Sequence, residues 1–255
     1  MDHELDDRTA VITGGTSGTG LEVAALLAES GVRSIVINGR DPGRGEAARL
    51  AVLQRAPGAS VTFMPADIST LGDAKALFAR VAAAGRPVGI LVNSAGGDYA
   101  PELFHRTSPE DFEGIVRQSL LATMYCCHAA LPLMGRGGAI VNVASDAAKV
   151  PTPGEAVIGA ALAGIVMFSR TLAIEAKRQG IRVNVVTPSL IAGTRTYDRV
   201  TAGGFSKKLF DKAIAAAHLG LATPKDVAET IVFLAGPRAA RVTGQVVSIN
   251  GGIST

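Results

Sequence analysis

The chain has 255 residues, of which 47% are hydrophobic and 18% charged, a size and composition that suit one well-filled α/β core running through 1–255 as a single domain. Its formal charge of +3 comes from basic residues scattered among Asp and Glu, without the one-sided stripe of a nucleic-acid binder, so no nucleic acid is expected as a partner. His3, His105, His128 and His218 form no ligand-spaced pair, which argues against a metal site.

The N-terminus enters apolar sequence after a few acidic residues, with neither a secretory nor an Arg-rich transit pattern. No apolar run approaches membrane-spanning length, so no membrane is expected as a partner. Cys126 and Cys127 are adjacent in a helical stretch, where neighbouring side chains diverge, and a reduced, cytoplasmic setting is expected.

Short β-branched runs alternate with longer helical stretches. The runs lie at 9–13, 34–38, 61–65, 89–93, 139–144, 181–188 and 245–250. Strands without polar alternation are buried on both faces, so the expected architecture is a Rossmann-like, doubly wound α/β sheet of about seven parallel strands flanked by helices. Pro109 and Pro224 mark helix starts, where a missing N–H costs little. The long interruption at about 191–220 contains Gly203, Gly204 and the helical-looking FSKKLFDKAIAAA. Lying beyond a strand's carboxyl end, it is well placed to act as a lid over a small-molecule ligand.

Directly after the first run come Thr13-Gly14-Gly15-Thr16-Ser17-Gly18-Thr19-Gly20 and then LEVAALLAES. Glycines here permit a tight turn and let the backbone approach a pyrophosphate, while the following helix N-terminus offers N–H donors and a positive dipole end. Placed between a first strand and a first helix, the loop points to a dinucleotide site.

This T-G-x-x-x-G-x-G pattern resembles the fingerprint of the short-chain dehydrogenase/reductase family, and the resemblance extends over nearly the whole chain. Asp67, Asn93-Ser94-Ala95-Gly96, Ser145-Asp146-Ala147-Ala148, GIRVN before Pro188 and the closing TGQVVSINGG are similar to family landmarks. SDAAKV followed by GEAV resembles members that act on cyclic hydroxyacyl-CoA substrates and, more weakly, 3-oxoacyl reductases. The resemblance implies cofactor contacts from Gly14, Thr16, Ser17, Gly18, Gly20, Arg40, Asp67, Ile68, Asn93, Ala95, Gly96, Pro188 and Thr194. It also implies a homotetramer or homodimer built through the helices starting near Pro109 and Gly154 and through the last strand. The second run ends Ile37-Asn38-Gly39-Arg40, without the acidic residue that would bind the ribose of NAD(H); Arg40 suits a 2′-phosphate, so NADP(H) is the expected cofactor.

The family's working site consists of a Ser after strand five, a Tyr thirteen residues later, a Lys four beyond that, and an Asn from the preceding helix. Ser145 matches the Ser, but counting on gives Ile158 and Leu162, and Ser119 stands at the Asn position. The register is hard to slide, because GEA before this stretch and AGIVMFSRTLA after it both match. Aliphatic side chains cannot donate a proton, and general acid catalysis contributes roughly 10²- to 10⁴-fold, so conventional carbonyl reduction is expected to be impaired. Pro188-Ser189-Leu190-Ile191-Ala192-Gly193-Thr194 also sets Thr194 one residue later than the family pattern.

Three functions remain open at this point. One is a non-redox cyclisation, dehydration or isomerisation of an apolar hydroxy or oxo compound, using Ser145 with Asp146 or Glu155; the residues favour it narrowly. Another is NADP(H)-dependent reduction with a substitute acid from Tyr99, His105, Lys149 or Tyr197. The third is a non-catalytic partner subunit of an active homologue.

Overall fold

The computed structural model describes residues 8–97 and 99–254. The chain alternates β1 (Thr9–Thr13), α1 (Gly18–Glu29), β2 (Ser34–Gly39), α2 (Pro42–Arg55), β3 (Ser60–Pro65), α3 (Leu71–Ala83) and β4 (Val88–Asn93). A long helix follows, made of α4 (Glu110–Val116), a π-helical turn (Arg117–Leu121) and α5 (Ala122–Ala130). The second half contains β5 (Met134–Val143), α6 (Ala156–Ala176), β6 (Arg182–Pro188), α7 (Arg195–Thr201), α8 (Gly204–Ala216), α9 (Pro224–Ala235) and β7 (Val246–Ile249). All seven strands pair in parallel, in the order β3-β2-β1-β4-β5-β6-β7.

Side chains alternate across the pleat, and both faces are covered. Ile12, Ile35, Ile37, Ile90 and Val92 join the core beneath α1, α2 and α9. Their neighbours Val11, Val36 and Leu91 point the other way, into the core beneath α3, α5 and α6. Burial on both sides is why these strands read as unbroken apolar runs. Each large aliphatic side chain so buried contributes roughly 1.5–3 kcal/mol. The helix starts are marked chemically. Asp41, Thr70 and Thr194 accept from first-turn N–H groups of α2, α3 and α7, and Thr223 with Asp226 forms a capping box ahead of Pro224.

The strand runs fall where the alternation of the sequence puts them, to within a residue or so except for β5, whose Gly-rich start at Met134 precedes the expected 139. One expectation fails. Ala156–Gln179 is long and apolar enough to cross a membrane by length and composition, although the sequence suggests no such run. Ser169, Arg170 and Glu175 break the apolar stretch to the eye without lowering its average much. In the fold this helix packs Ala161, Ile165, Leu172, Ala173 and Ala176 inward, which gives those residues a core role.

A buried polar chain runs through the middle of the sheet. Thr13 Oγ1 donates to Asn93 Oδ1 (3.2 Å), Asn93 Nδ2 donates to Asn142 Oδ1 (2.9 Å), and Asn142 Nδ2 donates to Ser169 Oγ (2.8 Å). Ser169 in turn donates to the Ile165 carbonyl at 2.6 Å. The chain ties β1, β4 and β5 to α6, and each link would be costly to leave unmade in the interior. Asn142→Ala is expected to destabilise the protein by about 1–3 kcal/mol, whereas Arg55→Ala, which breaks exposed pairs with Glu22 and Glu29, is expected to cost less than about 1 kcal/mol. Chemical denaturation of the two variants checks the contrast, and equal losses would contradict it.

Candidate active site

The strand order reverses between β1 and β4, so the loops leaving Thr13 and Asn93 part and open a crevice at the carboxyl ends of the strands. The glycine loop fits this place closely. Gly14 adopts φ +65°, and a Cβ there would lie 2.7 Å from the Ala95 backbone, so only glycine lets the two loops meet. A Cβ on Gly20 would lie 2.3 Å from the Gly14 carbonyl, which makes Gly20 the residue that lets α1 close onto the turn. Ser17, before α1, is extended and its side chain makes no cap bond. The helix therefore presents its first N–H groups and positive dipole end to the crevice.

The cleft is about 660 Å³, within the range of small-molecule sites. Of the residues expected from the resemblance, Gly14, Thr16, Ser17, Gly18, Arg40, Asp67, Ile68, Ala95, Gly96, Pro188 and Thr194 line it, as do Ser119, Ser145, Ile158 and Leu162. Two expected contacts need correction. Asn93 is buried, with its amide spent on Asn142, Cys127 and Thr13, so it supports the floor without reaching the surface. Gly20 is likewise buried and acts through helix packing. Thr194 reaches the cleft, but its hydroxyl donates to the Ile191 carbonyl (2.8 Å) and accepts from Tyr197 N (3.2 Å), so it is committed to capping α7.

One end of the cleft lies where β2 stops. Arg40 and Arg44 both border it there, and Asn38 Nδ2 braces the strand ends by donating to the Met64 and Ala66 carbonyls at 3.0 and 3.2 Å. The other end is formed by α6 and the turn after β5. Ile158, Leu162 and Ile165 line it at helical spacing, with Glu155 one turn earlier on the same stripe. Close contacts set this wall. A Cβ on Gly159 would lie 2.9 Å from the Ala147 carbonyl, and one on Gly164 would lie 2.8 Å from Leu120. The first glycine brings Ser145 against α6, and the second brings the π-helical turn against it. Ser119, in that turn, donates to the Ile115 carbonyl at 2.6 Å, and Ser145 accepts from Ala147 N at 3.4 Å, which leaves the Ser145 proton available.

The ionisable groups differ sharply in availability. Asp146 is buried; its Oδ2 accepts from Asn250 Nδ2 (2.7 Å) and Ser254 Oγ (2.5 Å), and Oδ1 lies 3.7 Å from Lys149 Nζ. That network ties the C-terminal segment to the turn after β5 through Oδ2, while Oδ1 is buried without a hydrogen bond among the described residues. Lys149 also donates to Ser248 Oγ and does not line the cleft. His105 and Tyr125 lie outside the cleft lining too, whereas Tyr99 and Tyr197 border it. Glu155 has no hydrogen bond or ion pair to its carboxyl among the described residues, and burial pushes its pKa up to about 7. Burial likewise pushes the Cys127 thiol up to about 12 and that of Cys126 higher still, so neither is a nucleophile.

The segment at 191–220 folds into α7 and α8, and Leu209, Phe210 and Ala213 of α8 close the apolar end together with Tyr197 and Val200 of α7. Sequence reasoning found α8 and missed α7, whose RTYDRVT has little apolar periodicity. It also missed Arg44, Gln118, Arg195, Arg199, Ile253 and Ser254, all of which line the cleft. Arg44 carried a signal, since Asp41-Pro42 announces a helix start that would return it toward Arg40; Ile253 and Ser254 did not, because only the sheet order brings the C-terminus there. Among the described residues no group of three or more His, Cys, Asp or Glu is arranged to hold a metal. The residues present do fit a dinucleotide: a Cβ-free cradle, a helix N-terminus for the pyrophosphate, and basic residues at one end of a continuous groove.

Comparison with known proteins agrees with this geometry. Residues 14–254 match the family model described as enoyl-(acyl carrier protein) reductase. The chain is 31% identical over 258 residues, spanning all of both chains, to the 3-oxoacyl-(acyl-carrier-protein) reductase FabG of Chlamydia pneumoniae. Among solved structures it is similar to an actinorhodin polyketide ketoreductase variant with NADPH (28% identity, 98% of each chain, TM-score 0.87). It is similar as well to an NADPH-bound short chain oxidoreductase from Pseudomonas aeruginosa PAO1 described as containing an atypical catalytic center (29% identity, 99% of each chain, TM-score 0.88). With its seven-stranded parallel sheet and glycine-loop crevice, the chain belongs to the short-chain dehydrogenase/reductase family of oxidoreductases, among relatives named 3-oxoacyl-(acyl-carrier-protein) reductases.

Proposed function

We propose that the protein is an NADP(H)-linked oxidoreductase of an apolar hydroxy or oxo compound whose proton transfer does not use the family's usual Tyr and Lys. The observation that carries this reading is a single cleft with unlike ends, a dinucleotide cradle at one and an aliphatic wall of Ile158, Leu162 and Ile165 at the other. The resemblance sets Ile158 at the Tyr position, Leu162 at the Lys position and Ser119 at the Asn position. Arg40 and Arg44 favour the 2′-phosphate of NADP(H), and the two NADPH-bound relatives support the same choice.

When bound, the cofactor supplies hydride chemistry. The chain's residues supply the rest. The α1 N-terminus holds the pyrophosphate, and the Ser145 hydroxyl donates to the substrate oxygen. Ile158, Leu162, Leu209 and Phe210 exclude water, which strengthens the few polar contacts that remain. A second reading follows from the same wall. A dry, shaped pocket could steer cyclisation, dehydration or isomerisation by orientation, with the cofactor bound but not consumed. Glu155 and Asp146, whose Oδ2 is bonded to Asn250 and Ser254 while Oδ1 has no hydrogen bond among the described residues, are the carboxylates for that chemistry.

We infer in addition that the chain works in the cytoplasm as a homodimer or homotetramer. Met167 and Ile174, 62% and 65% exposed on the outer face of α6, offer an apolar contact surface for a second copy.

Calorimetric titration is expected to show NADPH binding more tightly than NADH. Arg40→Ala should weaken NADPH about 10- to 100-fold and spare NADH, in line with the loss of a charge-assisted phosphate contact. Ile158→Tyr with Leu162→Lys is expected to create or raise reductase activity on 3-oxoacyl thioesters. Product formed without cofactor oxidation would instead support the non-redox reading, and silence in every assay a non-catalytic subunit. Light scattering should report a dimer or tetramer that Met167→Glu with Ile174→Glu shifts toward monomer; a wild-type monomer would refute the assembly.

A further inference from the structure

The apolar wall has one polar member. Glu155, Ile158, Leu162 and Ile165 follow one another at helical spacing and all line the cleft. Glu155 is therefore the residue through which this face of α6 presents an ionisable group to the space that the aliphatic side chains enclose. It is the residue just before α6, and its carbonyl accepts from Gly159 N at 2.5 Å. That backbone bond starts the helix, and the side-chain carboxyl has no hydrogen bond or ion pair among the described residues. The turn carrying Ser145 is pressed against the same first turn of α6 through Gly159 and the Ala147 carbonyl, so a hydroxyl and a carboxyl border the same end of the cleft.

We propose that Glu155 is the proton donor and acceptor of this cleft, a role that rests on the oxidoreductase reading above. In the reducing direction the carbonyl carbon takes hydride from the reduced nicotinamide dinucleotide, and the C=O π pair moves onto oxygen. The Glu155 carboxyl then gives its proton to that oxygen. The products are an alcohol, the oxidised dinucleotide and a Glu155 carboxylate, which a proton from water restores. In the oxidising direction the carboxylate takes the hydroxyl proton as hydride passes from the carbon to the oxidised dinucleotide, giving the carbonyl compound, the reduced dinucleotide and a protonated Glu155.

The electrostatics suit both directions near neutrality. Burial lifts the Glu155 pKa from 4.5 to about 7, which places it where a general acid or base works best. Among the described residues, the ionisable and charged groups lining the cleft about Glu155 are Tyr99 from the loop after β4, Asp146 from the turn after β5, and Arg195, Tyr197 and Arg199 from α7; Glu102 meets the neighbouring Gly154 through its backbone N–H alone. Reduction is expected to slow as pH rises through about 7, and oxidation to quicken.

The test compares wild type with Glu155→Gln and Glu155→Asp, using NADPH binding by calorimetry, NADPH oxidation with an acetoacetyl thioester, and thermal stability of the protein alone against pH. Glu155→Gln is expected to keep NADPH affinity within about twofold while turnover falls about 10²- to 10⁴-fold, with partial recovery in Glu155→Asp. A structural readout runs in parallel. The folded-state value is raised, so the stability Glu155 contributes is full below the unfolded value of 4.5 and is lost as pH rises through about 7. The Tm of Glu155→Gln should therefore gain on wild type between about pH 4.5 and 7 and level off above. Wild-type turnover in Glu155→Gln, or a Tm difference that does not move with pH, overturns the role of Glu155 alone. A wild type that binds no dinucleotide, or binds it and never oxidises it, overturns the oxidoreductase reading and this role with it.

Discussion

The position of α6 against the sheet is the constraint on which the rest of the structure depends. It is set from below by the Asn142–Ser169 hydrogen bond of 2.8 Å, and from the side by Gly159, where a Cβ would lie 2.9 Å from the Ala147 backbone carbonyl, and by Gly164, which packs on the Leu120 side chain. A hydrogen bond buried in the core is directional and expensive to break, and close-packed backbone cannot yield by fractions of an ångström without displacing its neighbours. Together they fix the rotation of the helix. That rotation decides that Ile158, Leu162 and Ile165 of α6, with Glu155 just before it, meet the cleft.

The glycine loop is the complementary half of the construction. Gly14 and Ala95 touch where the strand order reverses, and the gap above them becomes a continuous groove from Arg40 and Arg44 to Ser145. Binding and chemistry are therefore separable in this chain. The first half needs backbone N–H groups, a helix dipole and fixed positive charge, all of which are present. The second needs a proton source, and an aliphatic surface supplies none. A chain that keeps the first half keeps the means to bind a dinucleotide.

Much of this was legible in the sequence, for physical reasons that also mark where legibility stops. β1 and β4 announce themselves because burial on both faces removes polar alternation, and the glycine loop because turn, close approach and helix start each demand a residue type in order. Ile158 and Leu162, singled out from flanking matches, line the cleft. Asn93 misled because a motif gives a position without the direction of a side chain, and its amide points down into the Asn142 network. The partners of Asp146 Oδ2 were equally hidden, since Asn250 and Ser254 lie more than a hundred residues away along the chain and only the pairing of β6 with β7 brings them over. α7 escaped because Arg195–Thr201 is held by a Thr194 cap and by packing, not by periodicity.

The proposed function requires the aliphatic stripe of α6 to abut the nicotinamide ring of a bound NADP(H). Nuclear Overhauser measurements on protein carrying labelled Ile and Leu methyl groups, with NADPH bound, test it directly. The account predicts contacts from the nicotinamide ring protons to the methyls of Ile158 and Leu162. Bound NADPH whose ring shows contacts elsewhere and none to these two residues would contradict it.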